Sequence, residues 1–122
     1  MRSNSVQLVA AVVLGVGLTG CVSTETKTFP IGERRAPKPP GTVIEVFRQE
    51  PPTRAFAPVA RVNFHIEKTF FIPSAFEEAL PKLQDAARSH GADALVNFQE
   101  KKSRLNETFI YNVSALAIVF VE

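Results

Sequence analysis

The segment TFIYNVSALAIVFV at 108–121 carries the strongest strand signal in the chain and commits it to building a sheet. Its first half alternates, with Phe109, Tyr111 and Val113 opposed to Asn112 and Ser114. That is the period of a strand with one wet face. From Ala115 onward both faces are apolar, as in a central strand or one covered by a partner. A second alternation sets Ala60, Val62, Phe64 and Ile66 against Arg61, Asn63, His65 and Glu67. It predicts a half-buried strand with His65 on the polar side. VIEVFR at 43–48 and ALVNFQ at 94–99 add two shorter strands, rich in β-branched and aromatic residues. Pro51 and Pro52 place residues 49–58 in a loop, because proline donates no bond to a central ladder. EKKSRLNE at 100–107 reads as a charged connector ending in a solvated hairpin tip.

Between these strands lies PSAFEEALPKLQDAARSHGAD. Phe76, Ala79, Leu80, Leu83, Ala86 and Ala87 fall on one helical stripe. Ser74 with Glu77 three residues later predicts a capping box, and Gly91 after His90 predicts a left-handed stop. Pro81 predicts a kink or break. Glu77 and Glu78 are adjacent, so they point about 100° apart on a helix, a poor geometry for paired carboxylate catalysis. The order strand, strand, helix, strand, strand predicts an α+β domain: a four-stranded, antiparallel-rich sheet with the helix on one face. The other face would then expose Leu116, Ile118 and Phe120 to a partner or a second copy.

Composition narrows the function classes. The formal charge is +2 over 122 residues with both signs interspersed, which gives no broad footprint for nucleic acid. A single cysteine rules out an internal disulfide and a thiolate cage, and His65 and His90 are far apart in sequence. No nucleophile elbow, zincin or phosphate-loop motif is present. The sequence therefore predicts no enzyme, no cofactor and no metal site.

The amino terminus specifies location. Arg2 precedes an apolar run from Val6 to Leu18, too short for a bilayer core that needs about 20 apolar residues. Its length suits the apolar region of a secretory signal. Leu18, Thr19, Gly20 and Cys21 follow, and LTGC resembles the lipobox of bacterial lipoproteins. The resemblance implies a diacylglyceryl thioether on Cys21 and cleavage after Gly20. Val22 and Ser23 stand where an Asp would resemble an inner-membrane retention signal, so the expected location is the outer membrane, facing the periplasm. The predicted organisation is a signal peptide at 1–20, a lipidated cysteine with a flexible Pro-rich tether at 21–42, and a globular domain at 43–122.

PPTRAFAPVARV and AARSHGADALVNF, with YNVSALAIVF, resemble the YbjQ-like family, often labelled heavy-metal-binding, and the related stress-sensor lipoproteins of the Rcs phosphorelay. The resemblance implies the fold and an envelope location. This chain lacks the cysteines of the stress sensor and any converging Cys/His set, so neither disulfides nor a metal come with it. The resulting expectation is a non-catalytic binding module, serving envelope stress sensing or maintenance. Its partners are the membrane, through Cys21, and an envelope protein or a second copy through the sheet face. A periplasmic carrier of a small ligand or metal is the alternative, and an enzyme accessory acting on cell-wall or lipid material is a further one. Arg54 and Phe56, in the 49–58 loop, are the expected interaction residues.

Overall fold

A computed structural model of the chain describes residues 22–69 and 74–121. Leu18, Thr19, Gly20 and Cys21, with the rest of the predicted signal peptide, lie outside the described residues. The elements are β1 (Val22–Pro30), β2 (Glu45–Val46), β3 (Phe56–Lys68), α1 (Phe76–Ser89), β4 (Ala94–Leu105) and β5 (Thr108–Phe120).

The α+β class is as expected, but the sheet has five strands in the order β1-β3-β5-β4-β2. It is mixed: β1/β3, β3/β5 and β5/β4 are antiparallel, while β2 pairs parallel with β4. The additional strand comes from the predicted tether. Residues 22–30 pair with β3 along their whole length, from Val22↔Lys68 to Pro30↔Ala60. The rest of the tether is a strap against the end of the helix. Lys38 N–H donates to the Arg88 carbonyl at 2.8 Å, and Arg88 Nε donates to the Thr42 carbonyl at 2.7 Å. The strand predicted at 43–48 shrinks to two residues, Glu45 and Val46, paired with Ala94 and Leu95; Ile44 lies in the main core and Phe47 on the opposite side of the sheet. The predicted connector at 100–107 is mostly strand: β4 continues to Leu105, and Asn106-Glu107 make the turn, Asn106 with φ 57°. Asparagine tolerates that left-handed conformation better than most residues.

The helix follows its sequence signals closely. It packs Phe76, Ala79, Leu83, Ala86 and Ala87 onto the sheet and runs through Pro81 as one segment. The N-cap is Ala75, one residue later than predicted, so the carboxylate reaching back is Glu78 rather than Glu77. Glu78 Oε1 accepts the Ala75 N–H at 3.0 Å, half of a capping box. The displaced Ser74 hydroxyl is buried with no partner among the described residues. At the other end Gly91 takes φ +73°, with Ala92 N–H bonded to the Ala87 carbonyl and Gly91 N–H to the Arg88 carbonyl. This pair of bonds is a Schellman stop.

The main core lies between α1 and the facing side of the sheet: Val62, Phe64, Ile66, Leu83, Leu95, Tyr111, Val113 and Ala115. Leu83 is fully enclosed, so truncation to Ala would cost about 2–5 kcal/mol. A second cluster lies across the sheet. Ala94, Val96 and Ile118 are buried there beneath Phe47, Phe56, Leu116 and Phe120. The expected open apolar face is thus largely closed by the protein's own aromatic residues, with Phe47 edge-on to Phe120. Two bulges arrange this division. The extra residue between Pro58 and Ala60 puts Val59 and Ala60 both toward the helix side, and the one between Val96 and Gln99 returns Phe98 there, against Phe76.

Candidate functional site

Away from the helix, below the second cluster, the sheet presents a polar field set by register. Four strands contribute aligned rows: Lys27, Asn63, Ser114 and Gln99 in one, and Glu25, His65, Asn112 and Lys101 in the next. Above them sits Phe29–Arg61–Leu116–Val96, and below them Ser23–Glu67–Ile110–Ser103. Same-face neighbours on adjacent strands stand about 5 Å apart, so the middle rows form one continuous surface. A shallow concavity of about 570 Å³ runs over Arg61, Asn63, Gln99, Lys101, Asn112 and Ser114. A smaller one of about 320 Å³ continues it over Glu25, Lys27, Asn63, His65 and Asn112.

At its centre His65 is held on both sides. Nδ1 lies 2.6 Å from Asn112 Oδ1 and Nε2 lies 2.8 Å from Glu67 Oε2. Both contacts are to acceptors, so the imidazolium satisfies both. The Glu67 hydrogen bond, then the Asn112 one, raise the His65 pKa above its ordinary 6.5. Both ring nitrogens are thus engaged within the protein. Asn63 supplies the complementary feature: its Oδ1 is buried and has no hydrogen-bond partner among the described residues. Unmet buried acceptors are uncommon because each costs desolvation without return. Lys27, Arg61 and Lys101 surround it, all exposed.

The predicted interaction residues lie next to this field, not in it. Arg54 stacks its guanidinium over the Phe120 ring at 4.0 Å, and Phe56 packs onto the second cluster. Both therefore help cover the apolar half of the face. His90 is the helix C-cap, well removed from His65 in the fold. Glu77 and Glu78 sit in the first turn of α1, where Glu78 also pairs with Lys68. Among the described residues no group of three or more His, Cys, Asp or Glu is placed to hold a metal ion. The polar field itself was half legible: the alternation at 60–67 showed Arg61, Asn63 and His65 sharing a face, but Asn112, Ser114, Gln99 and Lys101 join it only through pairing.

Two further polar clusters explain how the elements are tied together. Tyr111, buried at the end of the main core, donates its hydroxyl to Glu100. Arg48 holds Glu100 at 2.7 Å while lying over the Phe76 ring at 3.7 Å. Burial first, and then the Glu100 contact, push the Tyr111 pKa above its ordinary range. Asp93 reaches across the fold. It accepts the Phe120 N–H at 2.9 Å and pairs with Lys38 of the strap. Burial pushes the Asp93 pKa up, but the Lys38 and Phe120 contacts outweigh it and leave a net lowering.

No family profile and no curated protein matches the chain. Among solved structures, the chain is similar to the Francisella virulence factor FvfA in its orthorhombic crystal form, at 13% identity and a TM-score of 0.43. That similarity covers 76% of this chain and 97% of that one. A likeness at this level does not bear on function.

Proposed function

We propose that the protein is a lipid-anchored lipoprotein of the bacterial envelope, in the outer membrane and facing the periplasm. In this reading it is a non-catalytic module that binds an anionic, extended envelope component across the polar field. LTGC at 18–21 supports the anchor. The observation that carries the binding reading is the buried, unpartnered Asn63 Oδ1 set among exposed Lys27, Arg61 and Lys101. A partner with carboxylate or phosphate groups meets the cations, and its N–H or O–H groups meet Asn63, Ser114 and Asn112. The concavities are shallow, which suits a flat or extended partner better than an enclosed small molecule.

The test is photocrosslinking in intact cells from residues 99 and 112, with residue 82 on the outer side of α1 as control. Discrete adducts from the field, lost when Arg61 and Lys101 are both replaced by Ala, are expected. Equal adducts from position 82, or adducts indifferent to the double replacement, would refute the binding reading. Intact mass of the mature protein tests the anchor separately.

A further inference from the structure

The register places Val22, Lys68, Phe109 and Arg104 in one row across the end of the sheet. Val22 begins β1, so Cys21 is bonded directly to a residue already paired in the ladder. Consecutive Cα atoms are about 3.8 Å apart, and nothing longer than that separates the cysteine from the sheet. β4 runs one residue beyond the same row before its hairpin turn, and that residue, Leu105, is 65% exposed. Val22 is 60% exposed. Three strand spacings, about 14 Å, separate β1 from β4. This end also carries Lys68 and Arg104, each already engaged within the protein.

We propose that this end of the sheet seats directly on the lipid surface, with Leu105 at the headgroup boundary and the strands rising away from the bilayer. The inference rests on lipidation of Cys21 and deepens that reading: the domain has no slack by which to lie elsewhere. A thioether at Cys21 holds its glycerol at the base of the headgroup layer. That layer is only about 5–8 Å deep. The row through Val22 is therefore drawn to headgroup level, and the exposed leucine that ends β4 reaches the interface. Its burial there removes apolar surface that the protein itself leaves in water. The orientation turns the polar field sideways, accessible from the periplasm, and puts Val43, which is 80% exposed, at the far end. Val43 precedes β2, which pairs with the start of β4, about 30 Å up the strands from Leu105.

The sole native cysteine being lipidated, a single introduced cysteine takes a fluorophore cleanly. Full-length Leu105→Cys and Val43→Cys proteins, labelled and reconstituted in phosphatidylethanolamine–phosphatidylglycerol vesicles, are compared with and without lipids carrying a nitroxide on the upper acyl chain. Loss of most emission at position 105, with position 43 unaffected, is the expected result. Equal quenching at both positions, or none at 105, overturns the orientation. The mass of the same samples separates the two ideas. A diacylglyceryl adduct with no quenching at 105 removes the orientation alone, whereas an unmodified Cys21 removes the anchor and the orientation with it.

Discussion

Replacing Gly91 by Ala tests whether the proline-rich segment is part of the folded body. Two costs arise at that position. The first is conformational: φ is +73°, where a Cβ costs about 1–2 kcal/mol. The second is contact: the new Cβ would lie 2.5 Å from the Ala36 carbonyl oxygen and 3.0 Å from Arg35 Cβ. Backbone cannot yield as a side-chain tip does, so the strap must shift. That loosens the Lys38 N–H bond to Arg88 and the Arg88 bond to Thr42, each worth about 0.5–1.5 kcal/mol net. The total is about 2–5 kcal/mol. Gly41 provides the control, since it has φ +88° but open space around its Cα, so Gly41→Ala bears the first cost alone. With no tryptophan in the chain, urea unfolding followed by far-UV circular dichroism is the suitable assay. Gly91→Ala should lose at least about 1 kcal/mol more than Gly41→Ala. Equal losses would show that the strap does not press on the helix end, and the reasoning would fail.

Asp93→Asn keeps an acceptor for the Phe120 N–H and removes the Lys38 pair, and should cost about 1 kcal/mol or less at neutral pH because the pair is partly solvated. The native Asp93 pKa is lowered, so its contribution is present above the ordinary value of 3.8 and is lost as pH falls through the folded value. Urea midpoints for wild type and variant should therefore converge in acid, and a constant gap would contradict the assignment. His65 has the opposite sign: its pKa is raised, so its contribution is complete below 6.5 and fades as pH rises through the folded value. Histidine NMR titration should show this pKa falling in Glu67→Gln; no change would mean that the Glu67 contact is not made in solution. Tyr111→Phe should destabilise by about 1 kcal/mol through loss of the bond to Glu100. In the wild type, tyrosinate absorbance should appear only above the ordinary phenol range, until alkali unfolds the protein.

Which parts of this architecture were readable in the sequence follows from where each residue finds its partners. Helix α1 announced itself because its apolar stripe and Gly91 are local signals; the cap moved, since Ala75 and Glu78 replaced Ser74 and Glu77, and the helix is unbroken at Pro81. Strand β1 was missed because neither of its faces is deeply buried. Its side chains are exposed except for Thr28, so no apolar alternation survives. The period-two spacing of Thr24, Thr26 and Thr28 was the available signal, and prolines downstream outweighed it. The outer half of β4 was hidden for the same reason: Glu100 to Leu105 form an arm beyond the reach of α1. Leu116, Ile118 and Phe120 were correctly read as apolar on the face away from the helix. Their cover was not, because Phe47 follows the two-residue β2 and Phe56 opens β3, and only strand pairing brings both beside Phe120. The polar field needed the register of four strands, which no single segment encodes.

Strand β1 also has a mechanical meaning. A pull applied at residue 21 acts along the axis of β1, whose nine residues are paired one to one with β3. The ladder is then loaded in shear, as in a lap joint, so its bonds strain together instead of opening one by one from an end. Traction between the amino terminus and anything gripped by the sheet would be borne by all those pairs at once. Beyond Pro30 one further bond, from the Ile31 N–H to the Val59 carbonyl at 2.9 Å, closes the joint before the chain continues as the strap.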